Sequence, residues 1–517
     1  MKTVMIHKFG ITPEARISRS SFDRSHGCKT TFDAGKLVPI YVDEALPGDT
    51  FNLKLSAFAR MATPIHPLMD NIFMDTHFFA VPIRLVWDNW KKFNGEQKNP
   101  GDSIDYIIPV HGSGASGFDV GSLEDYLGMP TGVPNIEMSA LYNRAYKLIW
   151  NEWFRDENLQ DSITVPTDDG PDNAGSSILR PRGKRADYFT TCLPWPQKGD
   201  SVTIPLGDKA YVAVDSSLNG QDVNVVRGNL IGDLSKLPAD STNLQVGAAY
   251  TGNPDQNTLY ADLTDATAAT INQLRQAFQV QKLQERDARG GTRYIEIIRS
   301  HFGVISPDAR QQRPEFLGGG TTYVNMSPIA QTSETSANSP QGNLAAMGTA
   351  SIDGHGFTKS FTEHCIIIGL VSVRADLTYQ QGIDRMFSRS TRYDYYWPSL
   401  AQIGEQAVLN KEIYAQGTSQ DNDVFGYQER YAEYRYKPSR ITGKMRSSAT
   451  GSLDVWHLSQ DFASLPVLNS SFIEENPPMD RVLAVPSEPH FIFDSYIKLK
   501  CARPMPLYGV PGLIDHF

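Results

Sequence analysis

A chain of 517 residues has room for about three average domains, although β-rich folds often keep about 200 residues in one unit. With 41 glycines, 32 prolines and 21% charged residues, the composition favours many short strands joined by ordered loops over a helical bundle. A net charge of −10 argues against a uniformly basic nucleic-acid binder, and four scattered cysteines without a CxxC pair (Cys28, Cys192, Cys365, Cys501) argue against a disulfide scaffold or a zinc ribbon.

Residues 1–36 read as a mobile basic arm, because Lys2, Lys8, Arg16, Arg19, Arg24, Lys29 and Lys36 outnumber Glu14, Asp23 and Asp33 in a Gly-, Ser- and Thr-containing context. The opening MKTVMIHKFG has no apolar signal-peptide core, so export is not expected. Leu37–Val42 is predicted as a strand, Leu46-Pro47-Gly48-Asp49 as a turn, and Thr50–Phe58 as the return strand. In that return strand Phe51, Leu53 and Leu55 alternate with Asn52, Lys54 and Ser56, the pattern of one buried and one polar face.

Ser139 is the predicted N-cap of a helix over Leu141–Leu159, and a second helix is predicted over Ile271–Arg289, ended by Gly290-Gly291; both read as loop elements packed on a sandwich. Between them, residues 200–265 place nine aspartates against only Lys209, Arg227 and Lys236. Residues 216–257 and Thr321–Gly356 lack periodicity and read as long surface loops. The longest apolar run, Cys365–Val373, is far shorter than the roughly 20 residues of a membrane span. Towards the far end Ile497, Leu499 and Cys501 alternate with Lys498 and Lys500. First and last strands of one type predict a single sandwich around everything inserted between them, a jelly-roll-like all-β fold with long inserted loops and a few helices.

Few motifs carry chemistry. Gly112–Gly117 satisfies GxGxxG, but Pro109 interrupts the strand before it and only a one-turn candidate, Ser122–Leu127, follows where a dinucleotide site needs a long helix. Asp421, Asp423 and Gly426 fit three positions of a calcium loop, whereas Phe425 and Ala432 occupy ligand positions. His301 and His364 read as hydrogen-bonded loop or core residues, and Glu474-Glu475 beside Pro477-Pro478 as a solvated turn. No catalytic set, no metal site and no cofactor is expected.

The surviving signal is basic and aromatic residues interleaved between Tyr427 and Arg446. Cations neutralise phosphates while aromatic planes stack unpaired bases, so single-stranded DNA is the expected ligand of Arg430, Tyr434, Arg435, Tyr436, Lys437 and Arg440, together with Lys2, Lys8, Arg16, Arg19, Arg24 and Lys29 of the arm. The competing reading is a strand whose tyrosines pack on neighbours and whose arginines pair with acids at a subunit interface.

Five blocks add a resemblance: FDRSHGCKTTFDAGKLVPIYVDEALPGDTF (Phe22–Phe51), QERDARGGTRYIE (Gln284–Glu296), HFGVISPDARQQRPEFLGG (His301–Gly319), GYQERYAEYRYKPSRITG (Gly426–Gly443) and PGLIDHF (Pro511–Phe517). In this order they resemble the major capsid protein of microviruses, small tailless phages with a single-stranded DNA genome, and most closely the gokushovirus branch. The resemblance implies a viral jelly roll, sixty copies of which close a T=1 shell around the genome. The implied partners are other copies of the chain, the DNA, an internal scaffolding protein, a small basic DNA-binding protein, a pilot protein and a host surface receptor. The implied location is the virion, assembled in the bacterial cytoplasm.

Similar proteins raise a protrusion at each threefold axis from an insertion in the sandwich. Here that insertion would follow TCLPWPQKG (Thr191–Gly199), which divides the chain into an arm (1–36), a first part of the jelly roll (37–199), a surface insertion (200–268) and the remainder (269–517). Asp215, Asn219, Asp222, Asn224, Asp233, Asp240, Asn253 and Asp255 are the expected host-attachment residues. From residues alone, a loop-rich sandwich that binds or hydrolyses carbohydrate is the alternative.

Overall fold

The structure is a computed structural model that describes residues 18–200, 202, 211–214, 223–226, 234–237, 245–247, 259–262, 271–336 and 340–509. It contains two compact units, one formed by 1–196 with 290–517 and the other by 197–289.

In the larger unit ten strands build two facing sheets: β1 (Ser20–Asp23), β2 (His26–Phe32), β3 (Val38–Ala45), β4 (Thr50–Met61), β5 (Ile72–Pro82), β6 (Glu315–Tyr323), β7 (Asn325–Ala330), β8 (Leu344–Ser360), β9 (Cys365–Ala375) and, numbered after a peripheral hairpin of β10 (Glu405–Leu409) and β11 (Val424–Glu429), β12 (Phe491–Arg503). One sheet runs β12–β4–β8–β7, with β1 and β2 both pairing on the outer side of β12; the other runs β6–β5–β9–β3. This is the predicted jelly roll. Alternation explains it. Along β4 the side chains of Phe51, Leu53, Leu55, Ala57, Ala59 and Met61 are buried while Asn52, Lys54, Ser56, Phe58 and Arg60 are exposed, and β12 repeats the pattern from Phe491 to Cys501. The two strands pair antiparallel from Phe491 opposite Met61 to Ala502 opposite Thr50. Strand β9 is buried on both faces apart from Arg374, as its continuous apolar run requires.

Residues 20–23 and 26–32 of the expected mobile arm are strands β1 and β2, and 216–257, expected as a loop, contains three short strands. Four further sequence expectations need correction. Strands β3 and β4 do not form a hairpin: β3 pairs with β9 in one sheet and β4 with β12 and β8 in the other, so the Pro47-Gly48 turn crosses between sheets. A turn of this length is compatible with either outcome, and the partner strands lie hundreds of residues away. Thr321–Gly356 is not a long loop, since it contains the end of β6, all of β7 and most of β8. Its glycines and small residues conceal the strands because they permit close approach: a Cβ on Gly318 would meet the carbonyl oxygen of Gly356 at 2.5 Å, and one on Gly319 that of Thr76 at 2.0 Å.

The third correction concerns the first helix, which is α1 (Leu141–Ile149) followed by a π-turn over Trp150–Phe154 rather than a helix to Leu159. Asp156 stops it, because its carboxylate accepts from the backbone N–H groups of Asn158 and Leu159 at 2.8 and 3.2 Å, an alternative to helical bonding. Ser139 is not the cap residue either; Ala140 is, and Ser139 Oγ only accepts a 3.4 Å bond from Leu141 N. Helix α1 packs on the four-stranded sheet through Leu141, Ala145, Tyr146 and Ile149. Arg144, fully buried, is satisfied by Asp172, Asp168 and the Val86 carbonyl.

Fourth, Glu474-Glu475 is no solvated turn. Glu475 is 4% exposed, and Glu474 accepts from Gln160 Nε2 at 3.1 Å and Ser470 Oγ at 2.9 Å.

The glycine-rich loop after Val110–Gly112 is held by a buried carboxylate: Glu124 takes 3.1 Å and 2.7 Å contacts from His111 and Asn143 and a 2.8 Å bond from Ser177 N. The helix that follows it is a single turn, Leu123–Tyr126, capped by Ser122. In the smaller unit, helix α2 (Ile271–Gly290) matches its expected span, and short strands form a three-stranded sheet (Val223–Val226, Leu234–Leu237, Gln245–Gly247) and a pair (Tyr211–Val214, Leu259–Asp262). Gly291, at φ +103°, ends α2.

Candidate nucleic-acid interface

The predicted basic and aromatic stretch begins on β11, which pairs with β10 from Glu405 opposite Glu429 to Leu409 opposite Val424. Beyond Glu429 the chain turns through Tyr431 at φ +62° into a one-turn 3-10 helix, Ala432–Tyr434. This turn sits on a secondary core of Tyr188, Phe189, Tyr379, Val408, Ile413 and Phe425.

Two acids of the neighbourhood face inward. Glu412 is buried and the Glu433 side chain is 6% exposed; they are bound at 2.9 Å by Arg385 and at 3.4 Å by Arg389 respectively, and burial raises the Glu412 carboxyl above its ordinary range. Tyr396, Tyr431 and Tyr434 form an edge-to-face cluster with centroids 5.3 to 6.2 Å apart, and the Arg389 guanidinium lies 4.4 Å over the Tyr434 ring.

The structure thus divides the predicted residues. Arg435 pairs with Glu429, Lys437 with Asp384, and Arg446 donates to the Gln380 carbonyl, so these cations are engaged within the chain. Burial disfavours ionisation of Asp384, but Lys437 and the Met386 N–H outweigh it and hold the carboxyl below its usual range. Arg430 stacks 5.0 Å over Tyr431. Tyr436 and Arg440 are exposed and line a cleft of about 330 Å³ with Tyr188, Tyr379, Phe387 and Asp384.

In the arm, Arg24 forms a bidentate pair with Asp43 at 2.7 and 2.8 Å, Lys29 pairs with Asp494 at 2.7 Å, and Arg19 donates to the Gly48 carbonyl at 2.6 Å. Lys2, Lys8 and Arg16 lie outside the described residues, as do Asp215, Asn219, Asp222, Asp233, Asp240, Asn253 and Asp255 of the insertion and the block Pro511–Phe517; Asn224 lies in the strand Val223–Val226.

Two features escaped the sequence. On the solvent side of the six-stranded sheet Lys54 stands directly opposite Lys498, with Lys500 two residues on. Alternation made each strand's cationic face legible, but not their pairing. A recess walled by His77, Trp153, Phe154 and Phe316 draws on segments far apart in the chain and leaves no local signal.

A two-sheet jelly roll whose first and last strands are neighbours is an architecture common in viral shell proteins. The chain matches the family described as capsid protein (F protein) over residues 11–513 and belongs to that family. It is 50% identical to capsid protein VP1 of Bdellovibrio phage phiMH2K (99% of this chain, 98% of the relative), 45% identical to capsid protein VP1 of Chlamydia phage 1 (99% and 98%) and 38% identical to capsid protein VP1 of Spiroplasma virus 4 (98% and 98%). It is a major capsid protein of the microvirus type, in the gokushovirus branch, and its role in the virion is structural rather than enzymatic.

Proposed function

We propose that copies of this chain close a T=1 icosahedral shell of sixty subunits around a single-stranded DNA genome, and that the acidic insertion contributes to host attachment. The observation that carries the reading is the match to capsid proteins along nearly the whole chain. Charge segregation supports the division of labour. The DNA-facing role falls to the arm, with Lys2, Lys8 and Arg16, and to Tyr436 and Arg440, which remain exposed; Arg430 lies over Tyr431, and Arg19, Arg24, Lys29, Arg435 and Lys437 bind acids or carbonyls of their own chain and serve the genome only as part of a neutralised surface.

Assembly is proposed to take place in the bacterial cytoplasm with an internal scaffolding protein, and a small basic DNA-binding protein and a pilot protein complete the particle. All four thiols are free, consistent with a reducing compartment. The test is to co-produce the chain with the scaffolding protein and examine the product by sedimentation and negative-stain imaging. Particles of about 3.4 MDa, sixty times the 57.4 kDa chain, are expected. Monomers and small rings alone under those conditions would refute the shell.

A further inference from the structure

We propose that the recess between the four-stranded sheet and the Trp150–Phe154 turn is a binding pocket for one nucleotide of single-stranded DNA, with the base against the rings and its phosphate against the cations at the mouth. The proposal rests on the reading that the shell encloses such a genome, and names a place on the chain that the sequence did not indicate.

The cavity measures about 370 Å³ and is walled by His77, Phe79, Trp153, Phe154 and Phe316. His77 stacks nearly parallel on Phe79 at 6.4 Å, while the other rings meet at angles: Phe79 lies 5.5 Å from Trp153 and 5.5 Å from Phe316, and His77 stands edge-on to Phe154 at 5.4 Å. A purely structural aromatic cluster closes over itself, yet here Phe316 is 42% exposed beside open space. Trp153 is fixed from behind, by its Nε1 bond to the Pro314 carbonyl at 2.9 Å and by the Arg313 guanidinium 4.0 Å over its ring.

Three cations, Arg182, Lys184 and Arg374, line the same recess. Asp75 serves two of them, its Oδ2 accepting from Arg182 Nη1 at 2.7 Å and Arg374 Nη2 at 2.9 Å. Two further acids bear on these cations: Glu475, which burial pushes up to about 7 against the Ala375 N–H and Lys184, and Asp187, which acts on Lys184. Three cations thus stand against Asp75, Asp187 and a partly ionised Glu475, a slight positive excess.

His77 supplies the polar element. Burial, with Arg182 adding to it, holds the imidazole neutral by pushing its pKa down to about 3, and its Nδ1 is buried without a hydrogen-bond partner among the described residues. A neutral imidazole offers one donor and one acceptor pointing to opposite sides of the ring, so one of its nitrogens can meet a single polar atom of a base. Flat apolar walls, a neutral hydrogen-bonding ring and flanking cations together suit a nucleotide; an acidic peptide would use the cations and leave the rings idle.

The probe is an oligothymidylate carrying a single 5-iododeoxyuridine, irradiated with the purified full-length chain and mapped by peptide mass spectrometry. Cross-links at Trp153, Phe154, His77 or Phe316 are expected, and Phe316→Leu should weaken oligonucleotide binding by about tenfold, equivalent to about 1.4 kcal/mol. Cross-links confined to other segments, such as Tyr436 and its neighbours, with wild-type affinity in Phe316→Leu, would overturn the pocket. Should Phe316→Leu fail to fold, the wild-type map decides by itself. DNA content of wild-type particles is measured in parallel: particles with DNA but no cross-link in the recess refute the pocket alone, whereas particles that never hold DNA refute the enclosing shell and the pocket with it.

Discussion

The Glu475 carboxyl accepts a 3.3 Å bond from Ala375 N through Oε1, while Oε2 is buried without a partner among the described residues. Burial outweighs the neighbouring cations and raises its pKa from 4.5 to about 7. In the folded chain it therefore keeps its proton over a range where the unfolded chain has already released it, so stability falls as pH rises from 4.5 through about 7 and the full penalty applies above that window. The shift corresponds to roughly 3 kcal/mol. Glu475→Gln should melt higher than the native chain at pH 8 and at nearly the same temperature at pH 4. A difference that does not change with pH would show that the carboxyl does not titrate as described.

At the scale of single elements, the legible parts were those whose side chains face one core and one solvent layer. Strands β4 and β12 announced themselves through strict alternation, and helix α2 through apolar spacing and a double glycine. The misread parts answer to distant partners. Nothing in Leu46–Asp49 indicates that the strands on either side enter different sheets, and the glycines of β6 signal a loop until the approach of Thr76 and Gly356 explains them. Glu475 read as solvated because its neighbours in sequence are turn residues, whereas its neighbours in space are not. For the nucleic-acid surface, residue types indicated cation and ring chemistry, but pairing with Asp43, Glu429 and Asp384 is a tertiary fact.

The turn itself invites a test. Asp49 is fully buried, its Oδ2 accepting from Leu46 N at 2.9 Å and Arg503 Nε at 2.9 Å. Removing it in Asp49→Ala frees the turn and leaves Arg503 of β12 without its carboxylate, holding only the Glu44 carbonyl at 2.7 Å, with an expected loss of about 3 kcal/mol read from the denaturant midpoint. A loss below about 1 kcal/mol would mean that the pair is solvated and not structural.

For the whole molecule, the division into a sandwich unit and an inserted unit is the feature on which the proposed host attachment can be tested separately from assembly. An insertion with nine aspartates in residues 200–265 would be repelled by packaged phosphates, which favours contact with the exterior. Lengthening or shortening a loop costs little by closure entropy alone. Replacing residues 216–257 with a short Gly-Ser linker should therefore leave particle assembly intact and abolish adsorption to the host, measured by imaging and by loss of free particles from a host suspension. Particles that adsorb at the original rate would place recognition elsewhere; absence of particles would make the insertion an assembly element.

The position of β12 between β4 and the pair β1 and β2 also sets an order of events during synthesis. The strand that joins the opening segments to the rest of their sheet is translated after every other strand of the sandwich. Until β8 is translated β4 has no partner in its sheet, and until β12 follows β1 and β2 have no edge to pair with. A nascent or prematurely terminated chain that stops short of β12 thus lacks the strand that completes this sheet.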